Sequence, residues 1–447
     1  MLLGFTVSNF RSFDKEERFS MEAGKTRNFS SRVFRTAKSK ILKFKAIYGA
    51  NASGKSNIIK AIDFMQQAVL RGLPSDSVLD YCRVSEENFS RPSSFEMEII
   101  LKGIQYNYGF EVLLSAGAFL REWLIEKKGN KQNCVFSRDI RENHYNVTSY
   151  VNDNGLNERL RIYADDIKSD ASILFLKVMN QNKDTLYGDD SPIEVYRTLY
   201  RWFRNKLSVN HPDEPITQYT YFFDSQDSSK AEELLEQMDT GISKVQIYDE
   251  ATEKVMALFP KQFVQEIADE LTEQKNRNTE KGIYATPAIM LRSNEGHSMY
   301  IVELHGEEVS CKTLKFNHKY SDSLFSLNDE SDGTIRLLDL LEILLTKKED
   351  AVYVVDEVSR CLHPLLTKKF ISDFLDMANK RNIQLIVTTH ESEIMDLELL
   401  RQDEIGFVKR NANGTSSIYG LEQFGARFDK RIRKAYLEGK YDAVPNL

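Results

Sequence analysis

The sequence is poor in the residues that mark several large protein classes. Cysteine occurs only four times in 447 residues, at Cys82, Cys134, Cys311 and Cys361, and no two form a C-x-x-C pair. That spacing excludes a cysteine zinc site or a disulfide scaffold and fits a reduced, cytosolic chain. Only 9 prolines and 21 glycines stand against 26 phenylalanines and 20 tyrosines, which excludes a disordered or fibrous protein. Long apolar runs are also missing. The richest, Ile335 to Leu345, is broken by Arg336, Asp339 and Glu342, short of the roughly 20 apolar residues of a membrane span. Near the start, Asn9 and Arg11 follow a brief apolar stretch without a small-residue cleavage site, so no secretory leader is expected.

Charge of either sign is plentiful but unevenly placed. Lys and Arg number 60 and Asp and Glu 67, a formal charge of -7. Residues 1–45 hold 11 Lys/Arg against 4 Asp/Glu, a balance of +7, so the remainder sums to -14. Residues 231–280 hold 5 basic and 12 acidic side chains. A basic beginning can attract polyanions, either nucleotide phosphates or nucleic acid, and it can equally be a solvated charged face.

Hydrophobic periodicity divides the chain into three stretches. Residues 1–150 read as α/β. Strands are expected at Leu2 to Phe10 and Ile41 to Tyr48, and a helix at Ser56 to Leu70. Phe95 to Leu101 and Tyr106 to Leu114 form a hairpin about Lys102-Gly103, which Phe119 to Glu126 extends. Residues 151–285 read as a mainly helical insertion, broken near His211-Pro212 and Glu214-Pro215, without a sustained heptad. Residues 286–447 return to α/β. Strands are expected at Met299 to Leu304, Ala351 to Val355, Gln384 to Thr388 and Ile405 to Lys409, with helices at Thr334 to Leu345 and Leu366 to Ala378. Short apolar strands alternating with helices signal a parallel sheet covered on both faces.

Three motifs carry chemistry. Gly49-Ala50-Asn51-Ala52-Ser53-Gly54-Lys55-Ser56 fits G-x-x-x-x-G-K-[ST] between an expected strand and an expected helix, the context of a phosphate loop. Its glycines turn backbone N–H groups inward as an anion nest at a helix N-terminus. Lys55 reaches the β- and γ-phosphates of ATP, and the Ser56 hydroxyl serves Mg2+. About 300 residues later, an apolar strand ends in Asp356-Glu357, one carboxylate suited to the metal and one to the attacking water. The third motif, Gln384 to Thr388 followed by Thr389-His390, offers an imidazole to the γ-phosphate.

Taken with Asn9-Phe10-Arg11-Ser12-Phe13, these motifs resemble an ABC-type ATPase head. More narrowly, the chain resembles the stand-alone bacterial ATPases of the AAA_15/AAA_21 families, relatives of the OLD, RecF and SMC heads. The run from Tyr436 to Pro445 resembles that group's ending. The resemblance covers roughly residues 1–125 and 320–447 and implies an α/β P-loop head with an antiparallel β-subdomain and a mainly helical insertion. It implies that Asn51, Ala52, Ser53, Asn57 and Arg11 join Gly49, Gly54, Lys55 and Ser56 at the nucleotide. It also places a signature motif at Glu330-Ser331-Asp332-Gly333-Thr334, where Ser331 and Gly333 would meet ATP held by a second copy. Asp332 departs from the more usual glycine. Ser359, Arg360, Leu362, His363 and Pro364 would form the loop between paired sites.

Two functional expectations follow, with a third beside them. The resemblance implies a Mg2+-dependent ATPase that forms at least a head-to-head homodimer and controls a partner effector. Such a partner is a nuclease encoded nearby, as in antiphage systems such as PARIS. The alternative is a DNA-binding ATPase of the RecF/SMC kind, favoured by the basic 1–45 segment and by Arg427, Lys430, Arg431, Arg433 and Lys434. A non-hydrolysing scaffold locked by ATP is the third. No nuclease or hydrolase constellation stands out, and no TOPRIM-like domain is expected after the His390 strand.

Overall fold

In the computed structural model, all residues are described except 27, 37, 130, 150–152, 184, 185, 188–190, 213, 215–218, 224, 281–285, 293–297, 425–431 and 445–447. Arg427, Lys430, Arg431, Pro215, Ala285 and Pro445, all used in the sequence reading, lie outside the described residues. The chain forms two compact units. The first comprises residues 1–213, 348–359 and 371–447, and the second residues 214–347 and 360–370.

The first unit contains two large sheets. One is mainly parallel, with strand order Leu207–Asn210, Val352–Val355, Gln384–Thr388, Phe44–Tyr48, Ile405–Arg410 and Ser416–Gly420. Only the last pairing is antiparallel. Phe44–Tyr48, Val352–Val355 and Gln384–Thr388 are buried at every residue, as expected of strands covered on both faces. The other sheet is antiparallel, with order His144–Val147, Lys131–Asp139, Ala118–Lys128, Ile104–Leu113, Ser93–Leu101, Leu2–Ser8 and Glu17–Ser20. Helix Lys55–Leu70 packs between apolar side chains of both, burying Ile58, Ile59, Ile62, Met65 and Val69. Phe64 on this helix meets Phe95 with ring centroids 4.8 Å apart.

The second unit has a sheet ordered Ile242–Glu250, Glu308–His318, Met299–His305 and Ala288–Arg292, with Leu324–Ser326 pairing Glu308–His318. Helices Ser225–Gln237 and Asp332–Leu345 share its larger core with Tyr219, Tyr221, Phe222 and Phe316. Helix Lys261–Glu280 buries Ile267 and Leu271 with Val302 and Cys311 in a smaller core.

The middle of the chain differs most from its sequence reading. Helices Asn154–Asp166, Glu194–Asn205, Ser225–Gln237 and Lys261–Glu280 are present, but Leu207–Asn210 and Ile242–Glu250 are strands. The unit division falls inside the stretch rather than at its ends. Leu207–Asn210 has too few residues to show a period, and it gains its ladder from Val352–Val355. In Ile242–Glu250 the register slips between Ile242 and Lys244, and Ile247 and Tyr248 are exposed, so no apolar–polar alternation marks the strand. The first expected strand stops at Ser8, because Asn9 and Arg11 take positive φ (49° and 50°) and Phe10 and Phe13 close a turn. Ile41 to Tyr48 is two strands parted at Lys43, whose Nζ turns aside to the carbonyls of Ala378 (2.6 Å) and Arg381 (2.9 Å).

Candidate nucleotide site

The phosphate loop joins Phe44–Tyr48 to helix Lys55–Leu70, and its shape is set by two left-handed residues, Ala52 (φ 59°) and Gly54 (φ 106°). A Cβ on Gly54 would collide with the hydroxyls of Ser12 and Ser416, so this position combines an unfavourable φ with no room. Ser12 and Ser416 brace the loop from outside. Ser416 Oγ donates to the Ser53 carbonyl (2.6 Å), its N–H donates to the Ser12 carbonyl (2.7 Å), and Asn57 Nδ2 donates to Ser12 Oγ (2.8 Å).

Lys55 is buried, and its ammonium donates to the loop's own Gly49 (2.9 Å) and Ala50 (3.0 Å) carbonyls. Burial lowers its pKa to about 8, opposed by the charges of Asp356 and Glu357. Ser53 Oγ is buried with no hydrogen-bond partner. Asn51 and Ala52 are exposed on the loop, while Ser56 and Asn57 are half-buried on the first helical turn.

The two carboxylates follow Val352–Val355, and Gln384–Thr388 lies between that strand and the phosphate-loop strand. Asp356 is buried; its N–H donates to the Asn210 carbonyl (3.0 Å), and its carboxylate accepts from the Thr388 hydroxyl. Glu357 takes a positive φ (48°), its N–H donates to Thr388 Oγ1 (2.8 Å), and it is half-buried. One strand end thus orients both acids, because Thr388 Oγ1 donates to one and accepts from the backbone of the next. Thr389 is buried and exchanges a hydrogen bond with Ser359 (3.1 Å). His390 stands exposed at the end of this strand. Partial desolvation, then the Lys55 charge, holds its pKa below the ordinary histidine value against the pull of Asp356.

The structure therefore brings Gly49, Ser53, Gly54, Lys55, Ser56, Asp356, Glu357 and His390 to the carboxyl ends of three adjacent parallel strands, where open α/β sheets bind ligands. Arg11, next to the bracing Ser12, carries an ion pair. Its guanidinium pairs with Asp80 (2.9 Å), its N–H donates to the Asp80 carbonyl (2.7 Å), and its cation lies 5.6 Å from the Phe10 ring. Burial raises the Asp80 pKa, and Arg11 opposes that shift.

Ser331 and Gly333 belong to the second unit. Ser331 caps helix Asp332–Leu345, its Oγ accepting from the Thr334 N–H (3.1 Å), and it is exposed. A Cβ on Gly333 would stand 2.8 Å from the Cys361 carbonyl. Glu330 is held just before the cap by His318 (2.8 Å).

Sequence reasoning missed Asn210, Ser416 and the bracing role of Ser12. Ser12 sits inside the Asn9–Phe13 string and could have been weighed. Asn210 and Ser416 carry no local signal, since each matters only through the strand beside it.

No curated protein gives a match to the sequence. Similar solved structures include an SMC head bound to the C-winged helix domain of ScpA (14% identity, 97% of this chain and 99% of that chain, TM-score 0.42). Others are the SMC head domain from Thermotoga maritima (14%, 94% and 98%, 0.37) and an Smc head with an extended coiled coil bound to the C-terminal domain of ScpA from Pyrococcus furiosus (17%, 95% and 97%, 0.37). The profile of AAA_21, described as "AAA domain, putative AbiEii toxin, Type IV TA system", matches residues 44–396, a span from the phosphate-loop strand to just beyond His390. With most of its length so matched, the chain belongs to the AAA_21 family of P-loop ATPases.

Proposed function

We propose that this protein is an ATP-hydrolysing switch that pairs with a second copy of itself and controls a partner effector. The observation that carries the proposal is the convergence of Lys55, Asp356, Glu357 and His390 at neighbouring strand ends. The residues fit a bound nucleoside triphosphate. Lys55 rests on its own loop's carbonyls, Ser53 Oγ is buried without a partner, and a Cβ on Gly49 would crowd that hydroxyl at 2.5 Å.

In this reading the loop N–H groups and Lys55 bind the β- and γ-phosphates, helped by the N-terminal end of helix Lys55–Leu70. Ser56 and Asp356 would hold Mg2+, which supplies positive charge against the phosphate oxygens. Glu357 takes the proton of the water whose oxygen attacks the γ-phosphorus, while the bond to the β–γ bridging oxygen breaks and ADP leaves. His390, neutral at pH 7, donates a hydrogen bond to the γ-phosphate. Ser331 and Gly333 of the second copy close over the nucleotide, so assembly reads the ATP state. A defence role with a nuclease-type effector in the cytoplasm is supported by the sequence resemblance and by the toxin–antitoxin wording of the family description.

The test is to purify Glu357→Gln with ATP and Mg2+. Phosphate release falls by about 10²–10⁴-fold with ATP still bound, the light-scattering mass at least doubles, and the effector copurifies. Wild-type protein without turnover, or a variant that turns over normally, overturns the proposal.

A further inference from the structure

The structure sorts the cations of the basic N-terminal segment by what holds them. Arg32, Lys43 and Lys45 are buried and donate to backbone carbonyls of Leu399 (2.6 Å), Ala378 (2.6 Å) and Ser20 (2.9 Å), respectively. Arg11 pairs with Asp80, and Arg18 with Glu22 and Glu98. These five serve the fold. Lys15 and Lys25 are exposed singly, whereas Arg35, Lys38 and Lys40 are exposed together on the short hairpin Val33–Arg35/Lys40–Leu42.

That hairpin meets the turn of a second one, Ala118–Lys128/Lys131–Asp139. A Cβ on Gly129 would stand 2.5 Å from Lys38 Nζ, so the two tips touch. Lys128 and Lys131 are cross-strand partners beside this turn, with Lys127 next to them. Lys102, on the turn of a third hairpin, lines the same cleft as Lys128. Lys128 pairs with Glu126 (3.0 Å). Among the described residues, Arg35, Lys38, Lys40, Lys102, Lys127 and Lys131 have no ion-pair partner.

Two features indicate a ligand. Arg35 faces Lys40 directly with neither ion-paired, and like charges opposite one another destabilise a sheet; Lys131 faces Lys128, whose charge Glu126 already meets. A polyanion would cancel that repulsion. Moreover, among the described residues none of the exposed large apolar side chains lies in residues 33–42, 101–104 or 118–139. The tips thus present mainly charge to a partner, and the apolar side chains nearby, such as Ile104 and Tyr106, line the cleft between them.

We propose that these three tips are a docking surface for the phosphodiester backbone of duplex nucleic acid, without sequence preference. It is a site separate from the nucleotide loop.

The test is fluorescence anisotropy of the full chain with labelled duplexes of about 25 base pairs, DNA and RNA in separate arms, between about 50 and 200 mM salt. Six phosphate contacts give a slope of log K against log salt of about -5 for DNA. Lys38→Glu/Lys131→Glu weakens binding at least about tenfold and flattens the slope by about 2. Lys230→Glu/Lys261→Glu, on exposed positions of the second unit, leaves binding unchanged, and both variants keep wild-type ATP affinity. Binding in the RNA arm alone keeps the surface and names RNA as its ligand. If the reversal variant does not fold, Lys38→Gln/Lys131→Gln replaces it. No duplex binding in either arm, or variant binding equal to wild type, overturns the proposal.

Discussion

The two sheets of the first unit use burial in opposite ways. In the parallel sheet, strands buried at every position run together and leave their polar residues where they stop: the phosphate loop after Tyr48, Asp356-Glu357 after Val355, and Thr389-His390 after Thr388. In the antiparallel sheet, buried and accessible positions alternate along strands such as Ala118–Lys128, and charge collects on the accessible side and at the tips. A fully buried ion pair there, Glu122 with Arg138, is structural. Glu122 accepts from Tyr108 and from the N–H groups of Phe175 and Leu176, while Arg138 donates to the carbonyls of Ile167, Asp170 and Ile173. At the strand ends of the parallel sheet the polar groups gather around the phosphate loop; in the antiparallel sheet the buried pair anchors a loop.

The sharpest way to break this contrast is a paired substitution. Lys55→Ala lowers ATP affinity by at least about 100-fold, the scale of a charge-assisted hydrogen bond to phosphate in a desolvated site, and shifts folding stability by no more than about 1 kcal/mol. Glu122→Ala strands the buried Arg138 and costs about 3–5 kcal/mol of stability, with ATP affinity of the folded protein unchanged. Titration calorimetry and urea unfolding read the two effects; both variants failing in the same assay would erase the distinction.

Next in size is a pH effect at the start of a parallel strand. Burial lifts the Glu404 pKa to about 8, and one carboxylate oxygen there has no partner. Its neighbours are Arg401 and Arg32, which oppose the shift, and Asp403, which adds to it. Because the folded pKa lies above the unfolded value, the contribution to stability is full below about pH 4.5 and declines as pH rises towards 8, by at most about 1.4 kcal/mol per unit. Glu404→Gln flattens that decline, as urea midpoints at pH 5 and pH 8 will show; an unchanged slope would assign the pH dependence to other groups. The smallest effect belongs to the antiparallel tips. Lys40→Glu opposite Arg35 turns repulsion into attraction and stabilises by about 0.2–1 kcal/mol, measured by thermal melting, while weakening duplex binding. A destabilised variant would mean that the like-charge pair carries no strain.

Much of the nucleotide site is legible before folding because its parts are local. A phosphate loop must lie within one strand-turn-helix, and Asp356-Glu357 and Thr389-His390 each end an apolar run that can only be buried. What escapes is whatever depends on a neighbour. Asn210 contributes a carbonyl to Asp356 because its strand pairs with Val352–Val355, and Ser416 reaches Ser53 because its strand begins beside the loop. Arg11 likewise has a partner that its motif does not announce, Asp80.

The basic beginning of the chain draws the same boundary. The sequence by itself determined that residues 1–45 carry seven excess positive charges, and that a phosphate loop follows them. Only the tertiary structure decided which cations are internal struts and which face solvent. Burial and pairing depend on partners hundreds of positions away, such as Ala378 for Lys43 and Leu399 for Arg32, and no local pattern encodes them. The charge balance belongs to composition; the place where that charge can act belongs to packing.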